Sequence, residues 1–385
     1  MYSIYTLNKV SEEGLKGFDA KYQIQEQIEK SDAIIVRSAK MHDISLPDTV
    51  KAIARAGAGV NNIPIATYAR QGVVVFNTPG ANANAVKELV IAGLLLSSRK
   101  VVEGINWANT LTIDVAKEVE KGKGDFVGPE LLGKKIGVIG LGAIGVMVAN
   151  AVQSLGMDVI GYDPYISIDA AWGLSRDIRH AVSIDEALEQ ADYITIHVPL
   201  LENTKYMFDK ELFSKMKNNV RILNFSRDTL VNNEDLKVAI TEGIVARYVT
   251  DFPVEEVMGI PEIICIPHLG ASTPESEENC AIMAVKQIKD YLETGNIVNS
   301  VNLPCCEMAW HAPFRLTIIH KNIPAMIGQI THIIANEKIN ITDMINKSKG
   351  EWAYTIIDTD TMITRQNIEN IQEIKDVIKV RVLDK

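Results

Sequence analysis

The chain has 385 residues, 47% of them apolar, with 39 Lys and Arg against 49 Asp and Glu for a formal net charge of −10. That length can bury large cores and predicts two or three domains. The acidic balance, with no lysine- or arginine-rich block, excludes phosphate-backbone binding, so no nucleic-acid partner is expected. The longest apolar run, Leu89 to Leu96 around Gly93, falls far short of the roughly 20 residues a bilayer helix needs. No basic start followed by an apolar stretch marks a secretory signal, so no membrane span is expected and the cytoplasm is the expected compartment. Cys265, Cys280, Cys305 and Cys306 form no C-x-x-C pair, so neither a disulfide framework nor a metal site is expected. Cys265, three residues before His268, reads as a small hydrophobe ending a strand.

In chain order, Ala33–Arg37 predicts a strand, Asp48–Arg55 a helix and Val73–Phe76 a strand, an alternation that implies a parallel α/β sheet. A helix over 84–97 is apolar almost all round and predicts burial. The stretch 117–135, rich in Gly and charge, predicts a loop. A second series follows, with strands at 135–140, 157–163, 193–197, 221–224, 246–250 and 263–266, six in one doubly wound sheet. A long helix over 275–292 leads to a segment rich in Ile and Thr. Its predicted order is strand 315–320, helix 325–336, strands 340–348 and 352–358, helix 368–375 and strand 377–383, a ferredoxin-like βαββαβ unit.

Gly140-Leu-Gly142-Ala-Ile-Gly145 follows a strand and opens a helix, the context that makes G-x-G-x-x-G specific. Gly140 allows the tight turn, Gly142 a close approach of backbone to pyrophosphate, and Gly145 close packing of helix on sheet, with the helix N-terminus facing the anion. Asp163 ends the next strand, placed for an adenine-ribose diol, and its charge would repel a 2′-phosphate. The expected cofactor is therefore NAD. Arg227, an acid at Glu255 or Glu256, and His268 each follow the C-terminal end of a strand, where open sheets bind ligands. Oxidation of a 2-hydroxy acid needs a base, which His268 suits by its near-neutral pKa, and a cation for the carboxylate, which Arg227 suits by its bidentate geometry.

Arg37-Ser38, Gly57-Ala-Gly-Val-Asn-Asn62, Asn77-Thr-Pro-Gly-Ala-Asn-Ala-Asn84, the Gly140 loop, His197-Val-Pro-Leu200 with Asn203-Thr204, Asn224-Phe-Ser-Arg227, Asp251-Phe-Pro and Pro267-His-Leu-Gly-Ala-Ser-Thr273 together resemble the D-2-hydroxyacid dehydrogenases. The likeness covers nearly the whole chain and is greatest to members that act on a phosphorylated 2-hydroxy acid and end in an ACT domain. It implies a doubly wound Rossmann NAD domain (99–271) inserted in a flavodoxin-like substrate domain (1–98 and 272–304), followed by a ferredoxin-like ACT domain (313–385). By the resemblance Arg227, Glu256 and His268 are catalytic, with Glu255 the alternative acid. Gly140, Gly142, Ala143, Ile144, Gly145, Asp163, His197, Val198, Pro199, Phe225, Ser226, Arg227, Asp251, His268, Gly270 and Ala271 contact NAD, while Arg37, Ser38, Gly59 and Asn84 hold the substrate. It further implies a homodimer or homotetramer and, through His320, Asn322 and Asn340, an L-serine effector. The chain departs from the family pattern at Asp228 and Ala325, where Gly is usual, and at Asn61, where Asp is frequent. Other family activities, glyoxylate/hydroxypyruvate reduction or D-lactate oxidation, and a non-catalytic NAD(H)-sensing role remain the alternatives.

Overall fold

A computed structural model describes all residues, 1–385. The chain divides into two compact units, Met1–Ala81 with Glu277–Lys385, and Asn82–Ser276.

The first unit opens with five parallel strands, β1 (Tyr2–Thr6), β2 (Tyr22–Gln25), β3 (Ala33–Val36), β4 (Ala52–Arg55) and β5 (Val74–Phe76), in the order β2-β1-β3-β4-β5. This is the flavodoxin-like order. Strand β4 corrects the helix expected over Asp48–Arg55. The alanines of Ala52-Ile-Ala54 favour a helix locally, but the segment lies between β3 and β5 with all three side chains fully buried, and burial on both faces of a parallel sheet overrides propensity.

The second unit begins with α1 (Ala83–Ser98). The segment expected to be a loop then forms α2 (Val115–Gly122), an exposed amphipathic helix carrying a Lys121–Glu118 pair at 2.7 Å. Its glycines lie at its end and beyond it, where they mark a helix stop rather than a continuous loop. The sheet comprises β6 (Lys135–Ile139), β7 (Asp158–Tyr162), β8 (Arg179–His180), β9 (Tyr193–Ile196), β10 (Val220–Asn224), β11 (Val245–Thr250) and β12 (Ile263–Cys265). All pair in parallel, in the order β12-β11-β10-β9-β6-β7-β8. There are seven strands rather than six, because Arg179–His180 adds a two-residue edge too short to show a period. Helix α3 (Ala143–Ser154) follows β6, where the strand order reverses between β7 and β9. That reversal is the ligand-binding crevice of doubly wound sheets.

The chain returns to the first unit through α4 (Pro274–Thr294). It then forms β13 (Phe314–Lys321), α5 (Met326–Asn336), β14 (Ile341–Lys349), β15 (Trp352–Thr359), α6 (Arg365–Gln372) and β16 (Val377–Asp384). The antiparallel order β14-β15-β13-β16 is that of a ferredoxin-like unit. One face of this sheet packs on its two helices through Leu316, Ile318, Ile330, Ile357 and Ile371. The other, through Ile319, Trp352, Tyr354 and Ile356, shares a core with β1, β3 and the α4 residues Ile288, Tyr291 and Leu292.

No helix is long and apolar enough to cross a membrane.

Candidate active site

The glycine loop is shaped by close approaches on one side and open space on the other. Gly140 has φ +93°, and a Cβ there would lie 2.6 Å from the His197 carbonyl oxygen; a Cβ on Gly145 would lie 1.9 Å from the Gly140 carbonyl oxygen. Only glycine satisfies both positions. A Cβ on Gly142, by contrast, would meet nothing within 4 Å. Gly142 caps the twelve-residue helix α3 and, with Ala143, is exposed, so the helix N-terminus faces unfilled space suited to an anion. Asp163 sits at the rim. Its carboxylate accepts hydrogen bonds from the backbone N–H of Leu141 and of Tyr165, each at 2.8 Å, which fixes an anionic acceptor beside the loop. These residues fit a dinucleotide whose pyrophosphate meets Gly142 and whose ribose meets Asp163.

At the end of β9, His197 shares a 2.9 Å hydrogen bond with Thr195 Oγ1 through Nε2, while its Nδ1 is buried without a partner. Burial pushes its imidazole down to about 3, so the ring is neutral at ordinary pH. Val198 packs beside Gly140, and the Pro199 carbonyl accepts from Thr204 Oγ1 at 2.6 Å. At the end of β10, Phe225 is buried and Ser226 Oγ donates to the Ile196 carbonyl at 2.8 Å. This bond ties the two strand ends together. Arg227 is exposed, and its carbonyl accepts from the buried Asn224 Nδ2 at 2.8 Å, a group that also donates to Tyr248 Oη at 3.1 Å. Asn224 thus holds the backbone that presents Arg227. Sequence reasoning passed over this role, since a strand-ending Asn carries no distinguishing pattern.

Asp251, at the end of β11, is 1% exposed. Burial pushes its carboxyl up, against the opposing pull of His268, the Gly270 N–H and Arg227. Its Oδ2 accepts from the Gly270 N–H at 3.2 Å, and its Oδ1 is buried with no partner. An amide N–H of a nicotinamide carboxamide is the kind of donor this oxygen lacks. His268, after β12, is exposed and packs against Phe252, with ring centroids 4.7 Å apart and planes tilted by 55°. Glu255 and Glu256 are also exposed, and neither forms a hydrogen bond or ion pair with His268. The buried acid nearest in strand order is Asp251, at the end of the strand that pairs with β12. Ala271 is half-buried next to Gly270. Asn84 lies exposed in the first turn of α1, bonded to Glu88 Oε1 at 2.8 Å and to Lys87 Nζ at 2.6 Å.

In the first unit, Arg37, Ser38 and Gly59 follow the C-terminal ends of β3 and β4. The Arg37 backbone is fixed by three side chains. Its N–H donates to Asn8 Oδ1 at 2.9 Å, and its carbonyl accepts from Arg55 Nε at 3.1 Å and Asn62 Nδ2 at 3.4 Å. Its guanidinium pairs with Glu277 at 2.6 Å. The three effector candidates do not meet within one chain. His320 is buried near the end of β13, its Nδ1 donating to the Lys321 carbonyl and its Nε2 bonded to Thr355 Oγ1, both at 2.8 Å. Asn322 lies at the same end, bonded to the Gly350 carbonyl at 3.2 Å. Asn340 precedes β14 at the opposite end of the ladder, where Ile341 pairs with Thr359 while His320 pairs with Ala353.

Residues 91–270 match the family model described as D-isomer specific 2-hydroxyacid dehydrogenase, NAD binding domain. The D-3-phosphoglycerate dehydrogenase of Methanocaldococcus jannaschii is 30% identical over 358 residues, covering 89% of this chain and 65% of that protein. The enzyme of the same name from Haemophilus influenzae is 29% identical, covering 84% of this chain and 79% of that one. The chain spans about half the length of several curated relatives, 53% of the Synechocystis protein and 45% of an Arabidopsis thaliana one. Among solved structures, the NAD+-bound 3-phosphoglycerate dehydrogenase of Entamoeba histolytica superimposes with a TM-score of 0.61 at 27% identity, covering 78% of this chain and 98% of its own.

Proposed function

We propose that the chain is a D-2-hydroxyacid dehydrogenase, which its similarity to that family's NAD-binding domain and to curated phosphoglycerate dehydrogenases supports, and that it oxidises 3-phospho-D-glycerate to 3-phosphooxypyruvate with NAD, the entry to L-serine synthesis. NAD, when bound, supplies the acceptor for the hydride that leaves the substrate C2. His268 takes the hydroxyl proton, and Arg227 holds the substrate carboxylate through paired N–H donors. Asp251, buried at the end of β11, lies on the strand between those that present Arg227 and His268. The succession of neighbouring strand ends carries the reading, because β10, β11 and β12 present a carboxylate-binding cation, a buried acid and a base, Arg227, Asp251 and His268, one after the other. Glu256, or Glu255, reaches His268 only after the loop following Asp251 rearranges. Arg37 and Ser38, with Gly59 and Asn84, hold the phosphorylated substrate. The cytoplasm suits this chemistry and the free thiols of Cys265, Cys305 and Cys306.

The C-terminal unit serves as an ACT-type regulatory domain. Its L-serine set, His320, Asn322 and Asn340, is complete only where a second copy brings its own Asn340 to the His320 end of the sheet, which ties the effector to a homodimer or homotetramer. A substrate panel tests the main reading. Turnover of 3-phospho-D-glycerate with NAD should greatly exceed that of D-glycerate, and His268→Ala should lower it by about 10²- to 10⁴-fold. Equal turnover of the two acids would move the assignment to another activity of the family, and NADH binding without turnover of any 2-oxo acid would make the chain a sensor.

A further inference from the structure

The guanidinium of Arg37 already holds an anion, the Glu277 carboxylate, at 2.6 Å. Both groups belong to the first unit, and each is held independently of the other. Arg37 is fixed through its backbone by Asn8, Arg55 and Asn62. Glu277 lies in the first turn of the 21-residue helix α4, where the helix dipole favours a carboxylate. The pair is therefore built into the sheet edge and the helix end. It is also open to water, with 40% of the Arg37 side chain and 41% of the Glu277 side chain exposed. An ion pair so exposed contributes little to stability and yields readily to a better anion.

We propose that Glu277 sets the charge of substrate that the Arg37 subsite accepts, acting as a resident anion that an incoming phosphate must displace. The proposal rests on the reading of Arg37 as the phosphate-facing cation. A phosphate monoester carries between one and two negative charges near neutral pH and three acceptor oxygens, so it outbids a single carboxylate for the guanidinium and is at the same time repelled by that carboxylate. An unphosphorylated acid makes no demand on Arg37 and gains nothing when Glu277 is neutralised. Glu277 thus costs affinity for the more highly charged substrate alone and narrows the preference between the two acids.

Glu277→Gln tests this, since it keeps the shape and the acceptor oxygen while removing the charge. In the full-length protein the KM for 3-phospho-D-glycerate should fall by about three- to ten-fold, while that for D-glycerate stays within about two-fold. The gap should shrink as salt is raised, and Glu277→Asp should restore most of the wild-type KM. Calorimetric titration with inorganic phosphate gives a second reading that needs no turnover, and its dissociation constant should fall in the Gln variant by a similar factor. A shift of equal size for both acids would make Glu277 a structural residue and overturn the proposal, as would unchanged phosphate affinity. If the wild-type chain turns over both acids equally, the phosphoglycerate reading fails, whereas the phosphate titration still decides the role of Glu277.

Discussion

The glycine loop after β6 and the junction between the C-terminal sheet and α4 are both places where backbone and charge meet closely, yet one is left open and the other is filled. Around Gly142 a side chain would find no neighbour within 4 Å, and the buried polar atoms left without partners at nearby strand ends, His197 Nδ1 and Asp251 Oδ1, have nothing to bond to in the protein alone. At the junction every donor of Arg315 is used. Its guanidinium, fully buried, binds Asp358 at 2.6 and 2.9 Å and donates to the carbonyls of Thr294, Met308 and Ala309 at 3.0 to 3.1 Å. Arg381 donates to the carbonyls of Tyr291 and Leu292, and Tyr354 Oη donates to that of Gly295 at 2.7 Å. These groups cap the orphan carbonyls at the C-terminus of α4. At the loop the unmet capacity leaves room for a ligand's donors, whereas the guanidinium of Arg315 directs all of its donors to the fold even though Trp310 Nε1 beside it and Tyr291 Oη beside Arg381 lack partners.

The largest effect expected from this contrast is at Arg315. Arg315→Met leaves Asp358 buried and unpaired and three carbonyl acceptors unmet, and breaking a buried pair in this way costs about 3–5 kcal/mol. Urea unfolding of the full chain should show that loss in the first unit. An unchanged midpoint would mean that the C-terminal sheet is held by its apolar face alone. Replacing both partners, Arg315→Met with Asp358→Leu, should cost less than the sum of the single changes.

A smaller effect separates the two outer glycines of the loop. Gly145→Ala places a Cβ 1.9 Å from the Gly140 carbonyl oxygen and should lower stability by about 1–3 kcal/mol through overpacking, with NADH binding lost as the turn shifts. Gly142→Ala enters open space at φ −73°, so stability should stay within about 0.5 kcal/mol while NADH affinity falls. Paired unfolding curves and fluorescence titrations with NADH check both. A Gly142→Ala protein that bound NADH as tightly as wild type would show that the open space is not where the dinucleotide lies.

The same contrast explains what could be read from the sequence. The loop was legible because its demand is local: three glycines at fixed spacing between an apolar strand and a helix start answer to backbone geometry within six residues. Asp163 was legible for the same reason, one strand later. The C-terminal order of strands and helices also emerged from local periodicity. Its docking did not, because Arg315, Asp358 and Arg381 are charged residues in strands, and charge in a strand ordinarily signals the solvent face. Strand β4 was hidden by alanines whose helical preference is overruled only by neighbours distant in sequence. Strands β1 and β2 went unseen because at five and four residues they are too short for a period to stand out. At the candidate site the strand-end positions of Arg227 and His268 were visible. Which acid serves His268 is not legible in the same way, because it depends on two loops meeting in space, which no spacing rule supplies.

The smallest effect lies at Ala325, where a residue bearing a Cβ takes a left-handed conformation ahead of α5. Ala325 caps α5 with φ +64° and ψ 2°, a left-handed conformation that costs a residue bearing a Cβ about 1–2 kcal/mol. Glycine removes that cost but adds freedom to the unfolded chain worth about 0.4–1 kcal/mol. Ala325→Gly should therefore raise stability by about 0.5–1 kcal/mol, seen as a later unfolding midpoint. The backbone need not move, so any gain in L-serine inhibition in the same variant would come from clearing the methyl from the N-terminus of α5, where an anion would meet the helix N–H groups. Stability that rises without a change in serine response would assign the strain at Ala325 to the helix cap alone. Stability that falls would show that the alanine is relaxed, and that the turn before α5 takes another path.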